Sequence, residues 1–145
     1  MARSRPLIVV GDDEPGSLGM FGEILAEEGY APVCCRNEQE TCDAVLAERP
    51  DLLIVDLRME HPDSGVRIVE RLRADARTRY VPILVCSADI MFLRERAEQL
   101  RRHGCGFLEK PFEMDELLAQ VAAMVSPASE REDEPASMQA RCRAG

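Results

Sequence analysis

Short apolar runs alternate along the chain with longer segments in which apolar residues recur at helical spacing. The short runs consist mainly of Leu, Ile and Val and are bounded by polar or turn-forming residues, which is typical of strands. The predicted strands are residues 7–10, 32–35, 52–55, 83–86 and 106–108. The runs at 52–55 and 83–86 show no polar alternation, as expected when both faces of a sheet are covered. We therefore predict that these two strands lie in the interior of a sheet.

A helical pattern follows each predicted strand. The patterns are Leu18, Phe21 and Leu25 before Gly29; residues 41–48; Val66, Ile68, Val69 and Leu72; residues 93–102; and residues 114–125. Because strands that alternate with helices pair in parallel through crossover connections, the order predicts an α/β fold with a five-stranded, doubly wound parallel sheet.

Length and composition favour one domain. A chain of 145 residues with 46% hydrophobic residues can bury a core without disulfides. We predict a short leader at residues 1–5, a domain at 6–125 and a disordered tail at 126–145, which is rich in Pro, Ala, Ser, Glu and Arg. Since we find neither a membrane-spanning run nor a signal peptide, we expect a cytoplasmic protein.

Charge and cysteine usage argue against two classes of protein. The net charge of -9 disfavours direct binding to nucleic acid, which requires clustered Lys and Arg. The six cysteines contain no Cys-x-x-Cys pair, and Cys34 and Cys35 are adjacent. We therefore expect buried or incidental thiols rather than a disulfide framework or a zinc site.

Polar residues follow four of the predicted strands. Asp12 and Asp13 follow the first strand, Asp56 the third, Ser87 the fourth and Lys110 the fifth. The carboxyl ends of parallel strands meet at one edge of a sheet, where ligands bind. Carboxylates gathered there repel one another unless a cation lies between them, and their hard oxygens favour Mg²⁺. Asp12 or Asp13 could instead cap a helix, but capping does not explain Asp56 at the end of a buried strand.

Lys110 is distinctive because the chain has seventeen arginines and a single lysine. A compact, flexible ammonium suits a point contact with a phosphoryl oxygen, although a chance lysine in a loop is the simpler interpretation. A cis peptide bond between Lys110 and Pro111 is one way to aim the ammonium back toward Asp56.

Four segments together identify a family. They are VVGDDEP at 9–15, PDLLIVD at 50–56, VPILVCSA at 81–88 and GFLEKPF at 106–112. With these segments, the chain resembles the receiver (phosphoacceptor) domain of two-component response regulators over residues 6–125. The resemblance implies the flavodoxin-like (βα)5 fold of the chemotaxis response regulator, with strand order 2-1-3-4-5.

The resemblance also implies the chemistry of the site. Asp56 would accept a phosphoryl group from a histidine kinase or a histidine phosphotransfer protein. Asp13 and Asp56 would bind Mg²⁺ directly with the backbone carbonyl of Arg58, and Asp12 would act largely through water. Because the transfer is mainly positioning and charge neutralisation, the domain would catalyse only its own phosphorylation and dephosphorylation.

Further residues would read the phosphorylated state. By the same resemblance, Ser87 would hydrogen-bond a phosphoryl oxygen, Lys110 would pair with it, and Phe107 would be the aromatic switch that turns inward. A partner would then bind the surface around the last strand and its flanking helices. Candidate residues there are Phe107, Arg94, Arg101 and Arg102, and a homodimer through this face is a further hypothesis.

The loop Glu60–Gly65 departs from the family pattern, because Pro is displaced and one extra residue precedes Gly65. It borders the predicted metal site, so metal affinity or partner choice could differ. Arg58 and Asp89 occupy positions that tune the lifetime of the phosphoaspartate in this family. We expect these two side chains to pair across the site and hinder the attacking water.

Three other functions are alternatives for this chain. A nucleotide-binding loop at 11–17 lacks the required Lys, and an aspartyl phosphohydrolase would place its nucleophile after the first strand. The remaining alternative is a receiver-like interaction module that signals without phosphorylation, and the altered loop is its only support.

Overall fold

The structure is a computed structural model that describes residues 4–125. Its strands are β1 (Leu7–Gly11), β2 (Ala31–Cys35), β3 (Leu52–Asp56), β4 (Ile83–Ser87) and β5 (Gly106–Glu109). Its helices are α1 (Pro15–Glu27), α2 (Glu38–Glu48), α3 (Ser64–Ala74), α4 (Ile90–Arg102) and α5 (Met114–Met124). Strand and helix alternate in chain order, as the sequence predicts. Residues 1–3 of the predicted leader and the whole predicted tail, 126–145, lie outside the described residues.

All five strands pair in parallel in one sheet, in the order β2-β1-β3-β4-β5. This confirms the predicted fold class and strand order. The order reverses between β1 and β3, and open α/β sheets bind ligands beyond the strand ends at such a point. Because Gly11 pairs with Val55, the residues that follow β1 come to lie beside Asp56.

The core consists of two apolar layers, one on each face of the sheet. Successive side chains of a strand point to opposite faces, so β3 sends Leu53 and Val55 into one layer and Leu52 and Ile54 into the other. The first layer also contains residues from α2, α3 and α4, and the second contains residues from α1 and α5. Both faces are therefore covered, which confirms that β3 and β4 are interior strands.

Most elements extend slightly beyond their predicted limits, whereas α5 ends one residue before its predicted limit, at Met124. Each strand is one residue longer than predicted, so Asp56 and Ser87 are the last residues of β3 and β4 rather than the residues after them. Helices α2 and α4 begin three residues early, because Asn37 and Asp89 cap them through side-chain oxygens. The N-cap of α1 is Glu14, not Asp12 or Asp13.

Two further expectations concern cysteines and membranes. The five cysteines within residues 4–125 are free, and all except Cys34 are buried. In the same range, no helix combines the length and the apolar character needed to span a membrane.

Candidate functional site

The structure brings Asp12, Asp56 and Lys110 together at the carboxyl end of the sheet. The ammonium nitrogen of Lys110 lies 2.9 Å from Asp12 Oδ2 and 2.9 Å from Asp56 Oδ2. The Asp12 side chain is 1% exposed, that of Asp56 14% and that of Lys110 17%. The single lysine of the chain thus bridges two largely buried carboxylates.

Local backbone geometry directs Lys110 into this position. Its backbone N–H donates to the carbonyl of Ser87, which extends the β4–β5 pairing to the sheet edge. The peptide bond between Lys110 and Pro111 is cis, as the sequence analysis suggested. Just beyond it, the rings of Phe112 and Phe21 pack with centroids 5.7 Å apart, which fixes the turn against α1.

Ser17 is a member of the site that the sequence analysis missed. Its hydroxyl donates to Asp12 Oδ2 over 2.7 Å and accepts from Lys110 Nζ over 3.2 Å. The available signal was its place in α1, one turn before the buried Phe21 and three residues after the Glu14 cap. A polar residue at that spacing faces the sheet rather than solvent.

The three charged groups carry a net negative charge. Burial raises the pKa of Asp56, and the hydrogen bond and charge of Lys110 offset only part of that effect. Burial alone would lower the pKa of Lys110, but its hydrogen bonds to Asp12 and Asp56 reverse the direction and raise it. One ammonium shared by two carboxylates therefore leaves an excess of negative charge that a cation would neutralise.

The carboxylates offer suitable oxygens for Mg²⁺, but they do not form a complete cage. Asp12 Oδ1 accepts from the Glu14 N–H, and its Oδ2 accepts from Ser17 and Lys110. Asp13 is exposed. Across residues 4–125 no three His, Cys, Asp or Glu side chains form a group that could hold a metal ion. Because Mg²⁺ keeps several waters and uses one or two carboxylates, the chemistry of these donors is compatible with a partly hydrated ion.

Ser87 is the last residue of β4, and Phe107 lies in β5. Ser87 is buried, and its hydroxyl accepts from the Asp89 N–H over 3.0 Å. Phe107 is partly buried against the first apolar layer, and the guanidinium of Arg101 lies 5.7 Å from its ring centroid. Arg94 and Arg102 are exposed on α4.

Arg58 and Asp89 form the predicted pair, with Arg58 Nη1 2.8 Å from Asp89 Oδ2. The Arg58 guanidinium also lies 5.3 Å from the ring centroid of Phe92, and that of Arg96 lies 4.6 Å from it. The backbone N–H of Arg58 donates to Asp56 Oδ1. Asp89 thus holds Arg58 with one carboxylate oxygen and caps α4 with the other.

The unusual loop Glu60–Gly65 is anchored to α2. Glu60 accepts from the backbone N–H of Glu38 over 2.7 Å, and the Glu38 carboxylate accepts from Ser64 and Arg67. These contacts, above all the hydrogen bond from Arg67, hold the pKa of Glu38 below its usual value. The extra residue therefore lies in the loop between β3 and α3, and this loop is held by hydrogen bonds to the first residue of α2. The side chain of His61 is exposed.

Comparison with known proteins identifies the family. The family model described as the response regulator receiver domain matches residues 8–122. The polar-differentiation response regulator DivK of Brucella anthropi is 23% identical over 122 residues, which cover 83% of this chain and 97% of DivK. A response regulator receiver protein from Pseudomonas putida is 30% identical, with a TM-score of 0.70 over 83% of this chain and 98% of that one.

The chemotaxis response regulator CheY4 of Vibrio cholerae is 22% identical, with a TM-score of 0.74 over 83% of this chain and 98% of that one, and this likeness shows the fold. The family match covers most of the chain, from the second residue of β1 into α5. The chain therefore belongs to the response regulator receiver domain family.

Proposed function

We propose that this receiver domain accepts a phosphoryl group on Asp56 from the phosphohistidine of a kinase or phosphotransfer protein. One observation carries the proposal: the only lysine of the chain places its ammonium 2.9 Å from Asp56 in a largely buried site. Ion pairs at a protein surface add little to stability, so stability does not explain why a lysine lies here. An ammonium fixed beside Asp56 would instead neutralise the negative charge of an incoming phosphoryl group.

The carboxylate of Asp56 is the nucleophile. One of its oxygens attacks the phosphorus, the bond from phosphorus to the donor nitrogen breaks, and the imidazole leaves with the electron pair and takes a proton from solvent. No general base is required, because the carboxylate attacks in its ionised form. Arg58 orients Asp56 through its backbone N–H, while Lys110 meets the charge on the phosphoryl oxygens.

Asp13, Asp56 and the backbone carbonyl of Arg58 would hold the Mg²⁺ that this family generally uses. There it would supply positive charge to neutralise the phosphoryl oxygens. The oxygens of Asp12 are less available to a metal ion, because they already accept hydrogen bonds from Ser17, Lys110 and the Glu14 N–H. Asp12 would therefore act on the ion largely through water.

Phosphorylation would then change the surface around β5. In this proposal, Ser87 leaves the Asp89 N–H and turns toward a phosphoryl oxygen, and Phe107 moves into the space that opens. The half-buried position of Phe107 supports this, since it already packs against the first apolar layer. Arg94, Arg101 and Arg102 flank the surface that a downstream protein, or a second copy of this chain, would read.

The domain at 6–125 would act as a signalling module in the cytoplasm, with no reaction beyond its own phosphorylation and dephosphorylation.

The Arg58–Asp89 pair would set the lifetime of the phosphoaspartate. The guanidinium contacts both Asp89 and the Phe92 ring, and in this proposal it restricts the approach of water to the phosphoaspartate. In the Arg58→Ala variant the phosphoaspartate should therefore hydrolyse faster, measured by loss of phosphorylated mass with time. An unchanged rate would remove this role.

Intact mass after incubation with acetyl phosphate and Mg²⁺ tests the main proposal. The wild type should gain one phosphoryl group and Asp56→Asn none. Asp43→Asn is a matched control, because it removes an exposed carboxylate of α2 and should gain the same mass as the wild type. A wild type that gains nothing, or an Asp56→Asn variant that gains as much, would overturn it. The first result would favour a receiver-like module that binds its partner without phosphorylation.

A further inference from the structure

We propose that Ser17 is a positioning residue that holds the Lys110 ammonium in place beside Asp56 before a phosphoryl group arrives. The inference rests on the proposed function and assigns to α1 a part in it. It concerns a hydroxyl that lies close to the reacting carboxylate without touching it.

The hydrogen bonds of the ammonium carry the argument. A lysine ammonium has three N–H donors and no acceptor. In this structure Lys110 Nζ has three acceptors, at 2.9 Å (Asp12 Oδ2), 2.9 Å (Asp56 Oδ2) and 3.2 Å (Ser17 Oγ). Ser17 therefore completes the set, and its own proton is directed to Asp12 Oδ2 over 2.7 Å.

The arrangement of these acceptors gives Ser17 its role. Asp12 and Ser17 hold the ammonium from the side of β1 and α1, whereas Asp56 approaches it from β3. When Asp56 becomes a phosphoaspartate, Lys110 exchanges a carboxylate oxygen for a phosphoryl oxygen. Its other two hydrogen bonds can persist through that exchange. A charge that is already in place needs little reorganisation during the transfer.

Ser17 also limits the freedom of Asp12. Without the hydroxyl, Asp12 Oδ2 would keep only Lys110 as a partner, and the flexible lysine side chain would keep two of three acceptors. Lys110 is 17% exposed, so water can replace part of the lost contact. We expect Ser17→Ala to lower the phosphorylation rate by about five-fold, which corresponds to about 1 kcal/mol.

The single lysine makes the position of the ammonium directly measurable. Protein labelled with ¹⁵N only at lysine Nζ gives one side-chain signal, from Lys110. In Ser17→Ala this signal should move or broaden, recorded without Mg²⁺ and without a phosphoryl donor. The Ser17→Thr variant keeps a hydroxyl and should recover most of both the signal and the rate. Circular dichroism checks that each variant is folded.

Gly19→Ala is the matched control in α1, because a methyl group at Gly19 would meet no atom within 4 Å beyond its chain neighbours and the backbone of its own helix. Like Ser17→Ala it raises helix propensity, but it should leave the signal and the rate unchanged. A normal rate in Ser17→Ala would overturn the inference, and so would a slow rate with an unmoved Lys110 signal. So would a Ser17→Thr variant as impaired as Ser17→Ala. If the wild type gains no phosphoryl group, the proposed function fails, and the Lys110 signal alone still decides whether Ser17 positions the ammonium.

Discussion

Replacement of Lys110 by methionine is a direct test of the electrostatics of the site. Methionine has a similar length and no charge, so the change leaves Asp12 and Asp56 largely buried without their common counterion. Removing one member of a buried ion pair destabilises a protein by about 3–5 kcal/mol. Because the Lys110 side chain is partly exposed, we expect the lower end, about 3 kcal/mol at about pH 7.

Urea unfolding followed by circular dichroism measures this loss. With a slope of about 2 kcal/mol per molar urea, the midpoint should fall by about 1.5 M. A domain of this size is stable by about 5–15 kcal/mol, so the variant remains folded. Arg94→Met is the matched control, because it removes one positive charge from an exposed position of α4. It should change stability by less than about 0.5 kcal/mol.

The loss should depend on pH with a definite sign. Burial already raises the pKa of Asp56 in the wild type, and removal of the ammonium raises it further. The folded variant then binds protons more readily than the unfolded chain, so its stability falls as pH rises through the raised pKa. The difference from wild type should therefore be smaller at about pH 4.5 than at about pH 7. A loss below about 1 kcal/mol, or an equal loss at both values, would refute this reasoning.

Three other predictions concern the backbone, the thiols and a partly buried arginine. Gly65→Ala should lower the free energy of unfolding by at least about 2 kcal/mol, because the added Cβ would lie 2.6 Å from the Cα of Leu57. Gly19→Ala should instead raise it by about 0.5–1 kcal/mol. Thermal unfolding of the two variants measures both changes. Among the cysteines of residues 4–125, the exposed Cys34 should be alkylated first by iodoacetamide. Cys86 should react only on unfolding, because burial raises its pKa to about 12. Mass mapping of the alkylated protein would show the order. Arg73→Met should destabilise by about 2 kcal/mol in urea unfolding, because the guanidinium donates to three backbone carbonyls; an unchanged midpoint would contradict this.

Sequence periodicity predicted every strand and helix, because apolar spacing reports directly which faces are buried. The boundaries were less exact where a single polar side chain decides them. Asn37 and Asp89 begin α2 and α4 three residues before the apolar pattern becomes visible. Local capping therefore extended these helices beyond their hydrophobic stripes.

The anchored loop shows a second kind of limit. The sequence indicated that residues 60–65 differ from the family pattern, but not where they attach. Glu60 lies 22 positions from its partner Glu38, and Arg67 lies 29 positions from it. Partners so far apart in sequence meet only because α2 and α3 pack on the same face of the sheet.

The sequence by itself determined the alternation of elements, the identity of the carboxylates at the strand ends and the singular character of Lys110. These follow from local composition and from the rule that parallel strands end at a common edge. Tertiary structure determined which side chains hydrogen-bond one another within the site. Ser17 joins Lys110 across 93 positions, and Asp12 directs both oxygens to partners within the protein rather than to open solvent. Such contacts depend on the orientation of α1 against the sheet, which residue spacing along the chain does not specify.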